Sequence, residues 1–266
     1  MAEEKWLVEG DKIIDLGPIT NLKVSLVAGQ VDVIGHDEPT TRVEVHSVRG
    51  KGLKVVRDGD SLVIDHPQLN WDNFIEVFKS FRGTASADVS IMVPRAVALK
   101  LGVVSANALV SGLTEDASLS TVSGELSVDS LQGDVRLNSV SGEIGVSNHT
   151  GDVSLNTVSG EVTASGDIHR FTGDTVSGSV FLELTGTPDE VRVNTVSGSV
   201  TTRLAPGTAA QYKINTVGGR IHLDDSDISG TRGTFTGRYG SLDKTWTDIK
   251  VNTVGGDISV LHAVKA

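Results

Sequence analysis

Apolar and polar residues alternate along most of this chain, and the alternation resets at regular intervals. In the stretch from Val135, Val135 and Leu137 alternate with Arg136 and Asn138. This is the two-residue period of a strand with one buried face. After Ser139 the phase slips by one, and the pattern assigns Val140, Ile144 and Val146 to the interior with Gly142 between them. A strand continuing straight through such a slip would turn its apolar face outward, so the slip predicts a corner. A glycine there allows a close backbone approach or a positive φ.

The same segment recurs along the chain as TVSG or a near variant. Its reference positions are Ala106, Gly124, Gly142, Gly160, Gly178, Gly198, Gly219 and Gly256. The first four steps are 18 residues each, followed by 20 and 21; the final step of 37 reads as two turns, with Gly237 between them. Two positions before each reference lies a valine: Val104, Val122, Val140, Val158, Val176, Val196, Val217 or Val254. Five positions before it lie Leu101, Leu119, Leu137, Leu155, Val193, Ile214 and Val251, with Gly173 as the exception. One such unit cannot bury its apolar face, whereas stacked units bury it against one another. The expected fold is therefore all-β: a single-chain β-solenoid, either a right-handed β-helix or β-roll-like, with repeats of about 18 residues. A left-handed hexapeptide helix fits less well, because Asp134 and Asp152 interrupt the six-residue apolar period.

The flanks differ from the repeats. Residues 1–19 read as a lead segment, 20–88 as a non-periodic β-rich region and 89–262 as the repeats, all within one structural domain. Trp71, Phe74, Phe78 and Phe81 fall at helical spacing and predict a short helical cap over 70–81. It reads first as a plug on an open solenoid end, and second as a patch for a partner. The long final turns carry Phe235, Tyr239 and Trp246, which suit a second cap or a dimer contact.

The early VAGQVDVIG turn, the VSIMVP strand, and the successive TVSGEL, SVSGEI, TVSGEV, TVSGSV and TVGGDI turns carry a resemblance. Over residues 20–262 the chain resembles the bacterial putative-adhesin, or toastrack, family of β-strand-repeat domains. That resemblance implies a β-solenoid with no known catalytic activity, and an association with envelope-stress systems that include small membrane proteins. Many members of that family carry a membrane segment. Here no stretch reaches the roughly 18 uninterrupted apolar residues of a membrane helix. The N-terminus also lacks a basic start and an apolar core, so direct membrane insertion is not expected and the expected location is cytoplasmic.

Charge narrows the partners. The formal net charge of −11 argues against nucleic acid, whose phosphates call for a basic stripe. There are no cysteines, which excludes disulfides and thiolate metal sites. The seven histidines show no metal-ligand spacing, and no GxSxG, GxxxxGK or GxGxxG motif occurs. No cofactor, metal site or catalytic residue is expected.

Two ladders remain. Asn138, Asn156, Asn194, Asn215 and Asn252 share one repeat position and read as a structural amide ladder. Glu125, Glu143 and Glu161 share a second position, and Asp116, Asp134 and Asp152 a third. Residues 104–163 hold eight acidic side chains against the single base Arg136. These six acids read first as a solvated face, and second as a site for a cation or a basic partner. The expected function is a non-enzymatic scaffold or protein-interaction module, acting on a protein partner, a membrane protein among the candidates, or on itself, with this face as the contact surface. The alternatives are a calcium-binding adhesin-like surface module, or a polysaccharide-binding or polysaccharide-cleaving solenoid using paired carboxylates on adjacent turns. Residues 82–170 lack aromatic platforms for a sugar.

Overall fold

The computed structural model describes residues 3–66, 85–228 and 233–264, and the helix expected over 70–81 lies outside them. Among the described residues the secondary structure is all β-strand, and the fold is a β-solenoid. The chain gathers into two compact units, Met1–Gly133 and Asp134–Ala266.

The first unit contains β1 (Glu4–Val8), β2 (Lys12–Leu16), β3 (Asn21–Leu26), β4 (Gly29–His36), β5 (Thr41–Arg49) and β6 (Leu53–Asp58). These are followed by β7 (Ser61–Asp65), β8 (Ser86–Pro94), β9 (Ala98–Val103), β10 (Asn107–Ser111), β11 (Ala117–Thr121) and β12 (Leu126–Asp129). Each coil gives one strand to each of two walls. One wall runs β1, β6, β7, β3, β9, β11. The other runs β2, β5, β8, β4, β10, β12. The coil β3–β4, which contains the VAGQVDVIG turn, is thus already a regular rung, in parallel register with β9 and β10. The strands outside β7 and β8 are antiparallel to them.

The second unit contains β13 (Val135–Ser139), β14 (Ile144–Ser159), β15 (Val162–Ser177), β16 (Val180–Leu184), β17 (Glu190–Thr195) and β18 (Val200–Leu204). It ends with β19 (Ala210–Thr216), β20 (Ile221–Leu223), β21 (Ser226–Ile228), β22 (Gly233–Tyr239), β23 (Thr247–Thr253) and β24 (Ile258–His262). The long β14 and β15 serve both walls. One wall runs β13, β14, β15, β17, β23, β19, β22. The other runs β14, β15, β16, β18, β24, β20, β21.

The stacking order in the second unit departs from the order of the repeats. The last coil, β23–β24, lies between β17–β18 and β19–β20. Gly237 is therefore not a rung of the parallel ladder. It lies in β22, which pairs antiparallel with β19. Between Gly219 and Gly256 the chain makes an antiparallel excursion, and this accounts for the 37-residue step.

Mostly aliphatic side chains fill the interior. Leu101, Leu119, Leu137, Leu155, Val193, Ile214 and Val251 are all buried, as their repeat position requires. At the exceptional position, a Cβ on Gly173 would stand 2.9 Å from the Phe171 ring. Phe171 is fully buried and occupies the volume that Leu155 and Val193 fill in the neighbouring rungs.

The valine two positions before each reference glycine does not point inward in the second unit, contrary to the expectation for Val140. Val140, Val158, Val176, Val196, Val217 and Val254 are 46–62% exposed. The preceding hydroxyl residue takes the interior place: Ser139, Thr157, Thr175, Thr195, Thr216 and Thr253 are all buried. Strand alternation continues one residue further than expected, and the phase slip falls across the Val–Ser pair.

Candidate functional site

The outward valines follow from the chemistry of the corner. The Gly142 N–H donates to Ser139 Oγ at 2.9 Å, Gly219 N–H to Thr216 Oγ1 at 2.9 Å, and Gly256 N–H to Thr253 Oγ1 at 3.0 Å. A side-chain oxygen that accepts from the backbone three residues on stabilises a tight turn. It holds the hydroxyl inward and leaves the intervening valine on the outside of the bend. The glycine then lies against the next coil: a Cβ on Gly256 would stand 1.9 Å from the Gly198 carbonyl oxygen. Only glycine allows that approach.

Stacking repeats this corner from rung to rung. The spatial order of the valines is Val140, Val158, Val176, Val196, Val254 and Val217, which makes a continuous apolar ridge. The asparagine ladder runs parallel to it, two residues earlier on each strand. Asn156 Nδ2 donates to Asn138 Oδ1 at 3.2 Å, Asn252 to Asn194 at 2.6 Å, Asn215 to Asn252 at 2.5 Å, and Thr234 Oγ1 to Asn215 Oδ1 at 2.6 Å. Asp174 takes the asparagine place in its rung and accepts from Asn194 Nδ2 at 2.7 Å. The amide ladder is thus present, with one carboxylate in it.

Between the two ridges the inward serine and threonines leave a trough. It forms an open groove of about 630 Å³ running from Asn138 and Ser139 to Thr253 and Val254. On the far side of the asparagines a second recess of about 280 Å³ is lined by Arg192, Lys250 and Lys213. Asn215 and Asn252 belong to both. The three cations stand in register on β17, β23 and β19. Glu190 bridges two of them, at 2.8 Å from Arg192 and 2.7 Å from Lys250. These contacts hold its carboxyl down to about 2. Lys213 has no ion pair among the described residues.

The acidic residues singled out by the repeat lie elsewhere. Asp116 and Glu125 belong to the first unit, where both are exposed and Ser127 Oγ donates to Glu125 at 3.2 Å. In the second unit Glu143 and Glu161 are exposed at the residues just before β14 and β15, next to the Ile144–Val162 pair. Asp134 accepts from the Asp152 N–H at 3.4 Å, and Asp152 faces Arg170 at 3.8 Å. A base thus meets this ladder one rung beyond the stretch where only Arg136 stands. Among the described residues no group of three or more His, Asp or Glu side chains is arranged to hold a metal ion.

The valine ridge and the cationic recess were not among the expected sites. The recurrent Thr or Ser three positions before the glycine was the available signal for the ridge, since alternation from the buried Leu137 places Ser139 inward and Val140 outward. The recess carries no local signal, because inserting β23 between β17 and β19 creates it.

Comparison with known proteins places this geometry in a family. No curated protein matches the chain. Among solved structures, a putative adhesin from Bacteroides fragilis is 12% identical over 94% of this chain and 97% of its own, with a TM-score of 0.46. A putative lipid binding protein from Parabacteroides distasonis is 12% identical over 98% of this chain and 97% of its own, at 0.45. A putative cell adhesion protein from Clostridium sporogenes is 13% identical over 98% of this chain and 99% of its own, at 0.31. The family model described as Toastrack DUF4097 matches residues 19–261, most of the chain, and the chain belongs to that family.

Proposed function

We propose that this protein is a non-enzymatic binding module whose working surface is the groove between the valine and asparagine ridges of the second unit. The observation that carries the reading is the exposure of six stacked valines in one line. Single exposed apolar residues are ordinary, whereas a contiguous apolar strip rimmed by polar side chains marks a place where something docks. A non-enzymatic role agrees with the exposure of Asp116, Glu125, Asp134, Glu143 and Glu161.

The acidic rungs support a second contact, with a basic partner. Glu143 and Glu161 stack like charges one residue ahead of the paired strands β14 and β15, and an opposing cationic surface would relieve that repulsion. Such binding weakens steeply with salt. The family's association with envelope stress makes small membrane proteins the first partners to test.

The experiment places a photo-crosslinking residue at position 196 on the groove, or at position 161 on the acidic rungs, in the native cells. A product from 196 that disappears when Val254 is replaced by Asp supports the groove. A product from 161 alone moves the contact to the acids.

A further inference from the structure

We infer that the groove binds the hydrocarbon chain of a long-chain fatty carboxylate, with its head group held at the recess formed by Lys213, Lys250 and Arg192. The inference rests on the groove being the working surface and names its ligand.

Three observations select this chemistry. First, the floor of the groove has little polar capacity to offer. The backbone groups of β14, β15, β17 and β23 are already paired in parallel register, the asparagine amides bond along their own ladder, and the two hydroxyls without a partner, Thr175 Oγ1 and Thr195 Oγ1, are buried beneath the surface of the floor. A peptide or a glycan lying there would leave its own polar groups poorly paired, at a cost that a polymethylene chain does not incur. Second, the ridge repeats one side chain, valine, at the strand spacing. It offers no alternation of pockets such as an extended peptide uses for register, and a featureless chain needs none. Third, the charge lies at one end. Glu190 pairs with Arg192 and Lys250, and Asp248 and Asp174 offset those two cations further, whereas Lys213 has no ion pair among the described residues and is the cation left to meet a carboxylate.

The lengths agree. From the Asn252 rung, which borders the recess, to the Asn138 rung is four strand spacings, roughly 19 Å. One acyl chain spans about half of a bilayer's hydrocarbon core, roughly 15 Å. With the carboxylate over Asn215 and Asn252 and its charge toward Lys213, the chain runs along Val196, Val176 and Val158 and ends near Val140. The overall negative charge favours a monomeric fatty acid as the source rather than an anionic membrane surface.

Equilibrium binding of radiolabelled palmitate and of uncharged 1-hexadecanol to the full chain tests this. Saturable binding of palmitate near one per chain is expected. The paired change Val196→Asp with Val254→Asp should weaken it at least tenfold, and Val158→Asn with Val176→Asn gives an independent second disruption of the ridge. All four side chains are half-exposed, so far-ultraviolet circular dichroism of the variants should match that of the parent. Lys213→Glu should weaken palmitate several-fold and leave hexadecanol within twofold. No binding of palmitate to the parent protein, or binding unchanged in both ridge variants, overturns the inference. An equal loss of both ligands in Lys213→Glu overturns the head-group assignment. If position 196 crosslinks a partner in cells while palmitate does not bind, the ligand class fails and the groove stands. If neither occurs, both fail.

Discussion

The His262 imidazole lies 2.8 Å from the Asp224 carboxylate, and this contact fastens the inserted last coil to the coil outside it. Asp224 follows β20, has a φ of 47° and accepts the His262 backbone N–H at 2.7 Å as well. The other ring nitrogen of His262 lies 2.9 Å from the Thr208 carbonyl, and Tyr239 stacks on the ring at 3.8 Å. One side chain therefore touches three separate segments of the end of the second unit. Replacing Asp224 with Ala removes a charged acceptor from a buried ring and from a backbone donor. It should cost about 2 kcal/mol of unfolding free energy. Asp225→Ala, at an exposed neighbour, should stay within about 0.5 kcal/mol. Urea denaturation of both variants checks the contrast.

Adjacent glycines at the last corner should behave oppositely. A Cβ on Gly256 would stand 1.9 Å from the Gly198 carbonyl oxygen, in backbone that cannot move without opening the stack. At Gly255 a Cβ would meet nothing within 4 Å. Gly256→Ala should cost about 3 kcal/mol or more through overpacking against backbone, whereas Gly255→Ala should be close to neutral. Thermal unfolding midpoints of the two variants give a direct readout.

The hydroxyl at the corner is separable from its shape. Thr253→Val keeps the volume but leaves the buried Gly256 N–H without its acceptor, and should cost about 1–3 kcal/mol. Thr253→Ser restores the acceptor and should recover most of that loss. If valine were tolerated as well as serine, the hydroxyl would not be what orients Val254 outward.

The sequence shows the β-solenoid because each rung repeats the demand of the last. Leu137, Leu155 and Val193 occupy one interior line, and Gly142, Gly160 and Gly178 mark one corner. The amide ladder is legible for the same reason. Val140 misleads because β-branched apolar residues are expected inside, and only the turn bond from Gly142 to Ser139 reverses that preference. The stacking of β23 between β17 and β19 is not legible, since any parallel strand with the same interior face fits against either neighbour. Lys250 therefore could not be placed beside Arg192 from their spacing, and the cationic recess stayed hidden with it.

His66 gives the first unit a dependence on pH. The ring is buried at the end of β7, where its Nδ1 accepts the Val27 N–H at 3.3 Å. Burial pushes its pKa from 6.5 down to about 4. Between these values the unfolded chain binds a proton that the folded chain does not, so this residue's contribution to stability is present above about pH 6.5 and is lost as the pH falls toward about 4. At 1.36 kcal/mol per unit the full effect is about 3 kcal/mol. Asp65, next to it, has its carboxyl raised by burial and acts in the opposite direction, so the comparison must be made between proteins that both retain Asp65. His66→Leu should lose stability at neutral pH, because the Val27 N–H is left unpaired, yet should fall less than the parent when urea unfolding is repeated near pH 4.5. Parallel decline of parent and variant would show that the acid sensitivity of this unit comes from other groups.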